Sequence, residues 1–156
     1  MHPYEVFISY SHEDRSLLDK FTAHLSNLRR QNIIKPWFDG DIGPGTEWNP
    51  DLTNHLEKAQ IILLLVSASF INSDFCYGIE MTRAMERHAA NEARVIPIIL
   101  RPVDWKGAPF AALQALPSEA KPVTKWSDTD EAFTNVVKGI RRAIDDLDAK
   151  AKTPNP

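Results

Sequence analysis

The apolar stretch IILLLV, residues Ile61–Val66, decides the fold, because it is the longest unbroken apolar run in the chain. It is far shorter than the roughly 20 residues that a membrane-spanning helix requires. A strand without alternating polar residues is typical of a parallel sheet that helices cover on both faces. The stretch therefore predicts the central strand of an α/β domain.

Further strands are predicted on both sides of this stretch, in short segments rich in β-branched, aromatic and other apolar residues. They are Tyr4–Tyr10, Lys35–Asp39, Val95–Leu100 and a weak fifth strand over Pro122–Lys125. Pro97 is unusual inside a strand, because proline has no N–H to donate to a ladder. We expect Pro97 at a bulge or at a locally unpaired position.

Helices are predicted between the strands, where apolar residues recur at spacings of three and four. The expected helices run from the N-cap Asp14 to about Gln31, from Pro50 after its cap Asn49, from Asp74 to about Ala90, and from Ser127 or Asp128 to about Leu147. Residues 148–156 are polar and end in proline. We therefore expect one domain over residues 1–147, followed by a disordered tail or a linker.

Five strands that alternate with helices imply right-handed crossovers and a flavodoxin-like, doubly wound parallel sheet with helices on both faces. The expected strand order is 2-1-3-4-5, and ligands bind such sheets beyond the carboxyl ends of strands one and three, where the winding reverses. Three segments should meet there: Ser9–Asp14, Ser67–Ser73 and the glycine-rich loop Asp39–Gly45.

Composition excludes several classes of protein. Eighteen basic and 21 acidic side chains give a net charge of −3, which is not the footprint of a nucleic-acid-binding protein. The first residues show no secretory signal, and no segment is apolar enough for a membrane. The single cysteine, Cys76, excludes an intramolecular disulfide and a cysteine-built zinc site. We expect the reducing cytosol as the compartment.

The predicted crevice lacks the residues of several chemistries that this fold hosts. Ser67 stands where a phosphoacceptor receiver needs an aspartate, and Ser11–Arg15 is too acidic for a flavin-phosphate loop. The glycine patterns that bind dinucleotides or nucleoside triphosphates are absent. No two histidines have metal-ligand spacing within a helix, and the five are scattered, so we expect no metal site. Since the glycine patterns are also absent, we expect no bound cofactor.

Glu80 is the candidate for chemistry. It lies one turn after Cys76 on the predicted third helix, beside the crevice. A carboxylate fixed in a dry pocket stabilises positive charge on a bound sugar. The alternative is a solvated glutamate that pairs with Arg83, three residues further along the helix. Spacing alone leaves both interpretations open.

Four segments in order resemble Toll/interleukin-1 receptor (TIR) domains, over about residues 4–147. Phe7–Ser11, after Tyr4–Val6, resembles the first box of the family, and Trp37–Asp39 with Gly43–Gly45 resembles the second. Phe75–Glu80 is similar to the stretch that carries the glutamate of the enzymatic branch. Arg94–Trp105 is similar to a segment of the bacterial members.

The resemblance implies cleavage of NAD⁺ between nicotinamide and ribose, which yields ADP-ribose or a cyclised isomer, in bacterial immune defence or signalling. Glu80 matches the catalytic glutamate of that branch. Many enzymatic relatives carry tryptophan four residues earlier, where this chain has Cys76. We therefore expect Phe75 or Tyr77 to pack on the ribose or nicotinamide in its place, with Cys76 at the same site.

Further assignments also follow from the resemblance. Trp48 matches an aromatic that stacks on a nucleobase, and the alternative is an anchor for the glycine loop. Asp39 opens that loop and holds it by hydrogen bonds or meets the ligand. Tyr10, Ser11 and His12 follow the first strand, where they would meet phosphates or ribose. Arg15 is a further source of charge for the pyrophosphate, or a surface arginine.

Partners are likewise implied by the resemblance. Family behaviour suggests self-association, head-to-tail or side-by-side, in which the glycine loop of one copy completes the site of another. Contacts of that kind can propagate as filaments. A sensor module or partner protein would supply the trigger. The rival class is a non-catalytic adaptor or virulence mimic that binds other TIR domains through Asp39–Trp48. A third interpretation is base exchange, or hydrolysis of a nucleotide sugar.

Overall fold

A parallel four-stranded sheet forms the centre of the part of the chain described by the computed structural model. That part comprises residues 2–39 and 50–152, with the backbone alone for Asp39, Pro50, Asp51 and Lys152. The strands are β1 (Tyr4–Ser9), β2 (Ile34–Asp39), β3 (Ile61–Val66) and β4 (Arg94–Ile99), in the order β2-β1-β3-β4. All neighbouring pairs are parallel. The doubly wound α/β class is confirmed, and every residue of β3 is buried.

The fifth position of the sheet differs from the prediction. Pro122–Lys125 is not a strand, because Val123–Lys125 forms a 3-10 turn closed by the Lys125 N–H on the Pro122 carbonyl. The outer edge of β4 is instead bridged by Leu116, whose N–H donates to the Pro97 carbonyl at 2.8 Å. The Ile99 N–H donates back to the Leu116 carbonyl at 2.8 Å. A single bridging residue thus takes the place of the expected strand among the described residues.

The same edge explains how β4 tolerates Pro97. Leu100, at the end of β4, donates its N–H to Val66 of β3, whereas Ile99 donates in the opposite direction, to Leu116. Donor directions alternate along a strand, so Pro97 shares the outward direction of Ile99. Its nitrogen therefore faces the edge, where no ladder bond to β3 is lost. This agrees with the expected locally unpaired position.

Helices cover both faces of the sheet. They are α1 (Arg15–Arg30), α2 (Pro50–Lys58), α3 (Ala68–Ile71), α4 (Asp74–Tyr77), α5 (Ile79–Ala89) and α6 (Thr129–Lys152). One face packs on α1 and α6, around the stacked rings of Phe21 and Phe133. The other packs on α2 and α5, through Leu56 and Ala84. Alternate side chains of β3 enter the two cores, as a strand buried on both faces requires.

The segment predicted as one helix from Asp74 to Ala90 is two helices with a break at Gly78. Gly78 has extended backbone angles, ends α4 and precedes α5. A Cβ at this position would overlap the Asp74 carbonyl oxygen, so the close approach of the two turns requires glycine. The prediction that Glu80 lies on the Cys76 face of a continuous helix is therefore wrong.

The last helix is longer than predicted. Its apolar stripe fades near Leu147, but α6 continues to Lys152 and includes Asp148, whose carboxylate accepts a hydrogen bond from Tyr4 at 2.5 Å. Residues 153–156 of the expected tail lie outside the described residues. Within the described part of the chain, no helix is both long and apolar enough to cross a membrane.

Candidate functional site

The carboxyl edge of the sheet gathers the predicted site segments that the structure describes. Tyr10 follows β1 with its ring buried, and its hydroxyl accepts a 3.5 Å hydrogen bond from Nη1 of Arg15. Ser11 caps the turn that follows, because its Oγ accepts from the Glu13 N–H at 3.4 Å. His12 is exposed and meets the Tyr10 ring edge-on, with centroids 6.3 Å apart. These residues form one rim of the edge.

Glu80 lies in the first turn of α5, which begins at the same edge because the helix returns from the end of β3 to the start of β4. Its side chain is half-buried and folds back toward the break at Gly78. A Cβ built on Gly78 would lie 3.0 Å from Oε2 of Glu80. The carboxylate therefore covers the bare Cα of the glycine.

No hydrogen bond or ion pair within residues 2–39 and 50–152 holds the Glu80 carboxylate. The pairing with Arg83 considered from the sequence is absent, because Arg83 donates to Glu57 through Nε at 2.6 Å and Nη2 at 2.9 Å. Nη1 of Arg83 lies 3.3 Å from Oε2 of Glu86, so this nitrogen also pairs with a residue other than Glu80. The guanidinium of Arg83 is thus held by Glu57 and not by Glu80. No described residue occupies the acceptor oxygens of Glu80, so they are available to a ligand.

Cys76 and Tyr77 precede the break and point in different directions. Cys76 is fully buried in the core beneath α4, and burial raises the pKa of its thiol to about 11. Contact between Cys76 and a substrate would require α4 to shift, so this assignment stays a prediction. Tyr77 is 64% exposed, and Ile79 beyond the break is 85% exposed. Of the two predicted residues, Tyr77 presents the accessible surface beside Glu80.

An aromatic row connects this region to β2. The Phe75 ring on α4 stacks on Phe7 of β1 with centroids 5.9 Å apart, and Phe7 contacts Trp37 of β2 at 5.3 Å. Trp37 in turn stacks on His55 of α2 at 4.4 Å. Phe75 is partly buried in this row, which fixes α4 against the sheet. Its expected role in place of the missing tryptophan stays a prediction.

Part of the predicted site cannot be placed. Trp48, the cap Asn49 and most of the glycine loop lie outside the described residues. Asp39 ends β2 opposite Ser9 of β1, so its backbone belongs to the carboxyl edge. The structure therefore brings Tyr10–His12, Tyr77, Glu80 and the backbone of Asp39 to the same edge.

A buried network at this edge was missed by sequence reasoning. The Asp14 side chain is 1% exposed, accepts the Ser67 hydroxyl, and accepts Nε of Arg101 at 2.8 Å. The sequence predicts Asp14 as an N-cap, but its side chain makes no capping hydrogen bond to α1. Ser67 also caps α3, through the Phe70 N–H at 3.2 Å. The three residues join the ends of β1, β3 and β4.

Three cavities lined by described residues lie away from the carboxyl edge. One of about 590 Å³ is lined by Tyr4, Ile33 and Asp148 at the opposite, amino edge of the sheet. Within the described ranges, no three His, Cys, Asp or Glu side chains are grouped as metal ligands would be. The carboxyl edge thus carries several polar groups together with Glu80, whose carboxylate has no partner among the described residues.

A doubly wound parallel sheet with its polar groups at the carboxyl edge defines a flavodoxin-like α/β domain. Within that class the chain belongs to the TIR domain family, because the family model described as "TIR domain" matches residues 6–137. This confirms the resemblance found in the four sequence segments.

Individual relatives come from bacteria and plants. The chain is 51% identical over 149 residues to the uncharacterized protein y4lF of Sinorhizobium fredii, covering 96% of this chain and 46% of that protein. It is 24% identical over 157 residues to the disease resistance-like protein DSC1 of Arabidopsis thaliana, covering 94% of this chain and 13% of that protein. The chain thus spans less than half of each.

Among solved structures, the chain is similar to the TIR domains of the activated Roq1 resistosome, which directly recognizes the pathogen effector XopQ. The TM-score is 0.49 and the identity 21%, over 70% of this chain and 67% of that one.

Proposed function

We propose that this domain cleaves NAD⁺ at the bond between nicotinamide and ribose, releasing nicotinamide together with ADP-ribose or a cyclic isomer. The observation that carries the proposal is the Glu80 carboxylate at the carboxyl edge of a TIR domain, which no side chain within residues 2–39 and 50–152 pairs with. NAD⁺ is the substrate, and the reaction needs no further cofactor.

The chemistry suits a fixed anion. When the glycosidic C–N bond breaks, its electron pair leaves with nicotinamide as a neutral base, and the ribose carbon gains oxocarbenium character. Glu80 stabilises that positive charge and accepts hydrogen bonds from the ribose hydroxyls. Water then attacks the same carbon and loses a proton to give ADP-ribose. Attack by a nucleophile of the same molecule gives the cyclic product instead.

Catalysis by Glu80 depends on a carboxylate that is not already paired with a cation of the protein. A carboxylate already held by an arginine would have to lose that partner before it could serve a substrate. Because Arg83 is bound to Glu57 on α2, the charge of Glu80 stays available. Half-burial against Gly78 also restricts the directions in which the carboxylate can point, and such preorganisation strengthens electrostatic catalysis.

The proposal includes self-association in the cytoplasm. The glycine loop of one copy would complete the site of its neighbour, under the control of a sensor module or partner protein. Activity should therefore rise more steeply than protein concentration. A bacterial role in immune defence or signalling fits the resemblance to bacterial members.

The test is nicotinamide release at high protein concentration. Wild type is compared with Glu80→Gln and Glu80→Ala, and Glu131→Gln is the matched control, since Glu131 is an exposed glutamate in the first turn of α6. We expect turnover in wild type and in the control, and a loss of about a hundredfold or more in both Glu80 variants. Equal turnover in all four proteins would exclude Glu80 as the catalyst.

A second candidate is a non-catalytic interaction module that binds other TIR domains. It is favoured by two large apolar side chains that are exposed on either side of Gly78 in the sequence, Tyr77 and Ile79. Under this alternative, Tyr77→Ser with Ile79→Ser would abolish association in light scattering while Glu80→Gln leaves it intact. Absence of nicotinamide release at every concentration, even from protein clustered on a scaffold, would favour this alternative over catalysis.

A further inference from the structure

The buried carboxylate of Asp14 controls the direction of an arginine at the carboxyl edge. Asp14 is 1% exposed and receives Nε of Arg101 at 2.8 Å, while the Ser67 hydroxyl occupies its other oxygen. A buried carboxylate is stable only when its acceptors are satisfied. Ser67 and Arg101 together meet that need.

Arg101 uses only one part of its guanidinium in this contact. The side chain is 44% exposed, and among the described residues its hydrogen bond and ion pair are both made through Nε. Nη1 and Nη2 therefore remain as two donors without a hydrogen-bond partner in residues 2–39 and 50–152. An arginine anchored through Nε loses less side-chain freedom when these donors bind a ligand, because its orientation is already set.

The position of Arg101 is that of the ligand crevice in doubly wound sheets. Leu100 donates its N–H to the Val66 carbonyl, which places the end of β4 beside Ser67 at the end of β3. Asp14 lies in the turn that follows β1, so its contact with Arg101 places the end of β1 at the same position. The guanidinium thus sits over the ends of three parallel strands, next to the point where the winding reverses.

We infer that Arg101 binds the diphosphate group of the dinucleotide substrate through Nη1 and Nη2, with Asp14 and Ser67 as its positioning residues. A guanidinium matches two phosphate oxygens with two parallel N–H···O bonds. The inference rests on the proposed function for the identity of the substrate, and it adds the anion subsite of the same site. Glu80 acts on the ribose, whereas Arg101 holds the diphosphate.

Arg15, considered for this role from the sequence, is placed differently. Its Nη1 contacts the Tyr10 hydroxyl at 3.5 Å, and its Nε lies 3.9 Å from Asp19 on the exposed side of α1. Arg101 differs from Arg15 in its partner, because the buried carboxylate of Asp14 accepts its Nε at 2.8 Å.

The test separates binding from turnover. Arg101→Lys keeps a cation beside Asp14 but cannot donate to Asp14 and also present a planar fork. Arg101→Ala removes the donors altogether, and Arg30→Lys, an exposed arginine at the end of α1, is the matched control. Thermal unfolding of each protein establishes that it is folded. Two readouts follow: KM and kcat for nicotinamide release, and ADP-ribose binding followed by NMR titration.

We expect Arg101→Lys to raise KM and weaken ADP-ribose binding about tenfold, which is the effect of one lost charged hydrogen bond, with kcat little changed. The Arg30→Lys control should match wild type in both readouts. Equal ADP-ribose binding by wild type and a folded Arg101→Lys protein would overturn the inference, as would a wild type that does not bind ADP-ribose at all. Binding that depends on Arg101 in a protein that releases no nicotinamide would retain the anion subsite and reject the proposed cleavage.

Discussion

Arg83 lies three residues after Glu80 on α5, yet its guanidinium turns to Glu57 on α2, with Nε and Nη2 at 2.6 and 2.9 Å from the two carboxylate oxygens. This bidentate pair lowers the pKa of Glu57, chiefly through the hydrogen bonds from Arg83. It also connects the helix that follows the glycine loop to the helix that carries Glu80. The contact is exposed at the surface, so its main effect is on where the charge lies.

Removal of Arg83 tests whether Glu80 works without it. We expect Arg83→Ala to leave nicotinamide release within about twofold of wild type, because no hydrogen bond or ion pair joins Arg83 to Glu80. The ion pairs that Arg83 does make are exposed, and such pairs contribute little to the stability of the fold. Steady-state rates at equal protein concentration provide the measurement. A loss as large as that of Glu80→Ala would show that the two residues act together.

Gly78→Ala should damage the site more than a surface substitution does. The new methyl group would overlap the Asp74 carbonyl oxygen and press on Oε2 of Glu80. We expect a free energy of unfolding lowered by about 1–3 kcal/mol, as overpacking usually costs, together with displacement of the carboxylate. Urea denaturation and nicotinamide release measure the two effects. Ala89→Ser, at an exposed position at the end of the same helix, is the control. Wild-type stability in Gly78→Ala would contradict the close approach.

The Cys76 thiol should be unreactive in the folded protein. Burial raises its pKa to about 11, so very little thiolate exists at neutral pH, and the side chain is also inaccessible. We expect a disulfide reagent such as dithionitrobenzoate to label Cys76 slowly in buffer and rapidly in urea. Fast labelling of the native protein would mean that α4 opens readily, and would restore Cys76 as a ligand contact.

His88 should make the fold sensitive to mild acid. Burial, aided by the charge of Arg94, lowers the pKa of His88 below its ordinary 6.5, and its Nδ1 accepts the Val95 N–H at 3.0 Å. A group whose pKa falls on folding contributes stability above its unfolded pKa. That contribution is lost as the pH falls through the folded value. The free energy of unfolding should therefore decline below about pH 6.5, the ordinary histidine value.

His88→Asn is the matching variant, because its side-chain oxygen can accept the same N–H without titrating. Urea unfolding of both proteins on either side of histidine's ordinary pKa gives the comparison. We expect the wild type to lose more stability than His88→Asn on acidification. Parallel pH profiles for the two proteins would assign the acid sensitivity to other groups.

Local pattern was sufficient for most of the sheet. The bounds of β3 agree with the apolar run Ile61–Val66, and β1, β2 and β4 differ from their predicted bounds by single residues at their ends. These strands are defined by their own apolar side chains. The edge beyond β4 depends on one residue, Leu116, whose bridge to Ile98 leaves no periodic pattern to detect.

The helix break at Gly78 and the network around Asp14 needed tertiary information. Gly78 lies in a segment with continuous helical spacing, and only the collision with Asp74 shows why the helix stops there. Arg101 and Asp14 are 87 positions apart, so no local motif joins them. Glu80 was found through the resemblance, but its freedom from Arg83 depends on Glu57 in another helix.

The hydrogen bond between Tyr4 and Asp148 has a practical meaning for how the domain can be tethered. Burial and the neighbouring carboxylate raise the pKa of Tyr4 to about 12, so the phenol stays a donor throughout the physiological range. The bond clamps the beginning of β1 to the end of α6 on the amino side of the sheet. An affinity tag, a bead surface or a fused scaffold attached after α6 would thus hold the molecule at the amino edge of the sheet and leave the carboxyl edge, with Glu80, facing outward.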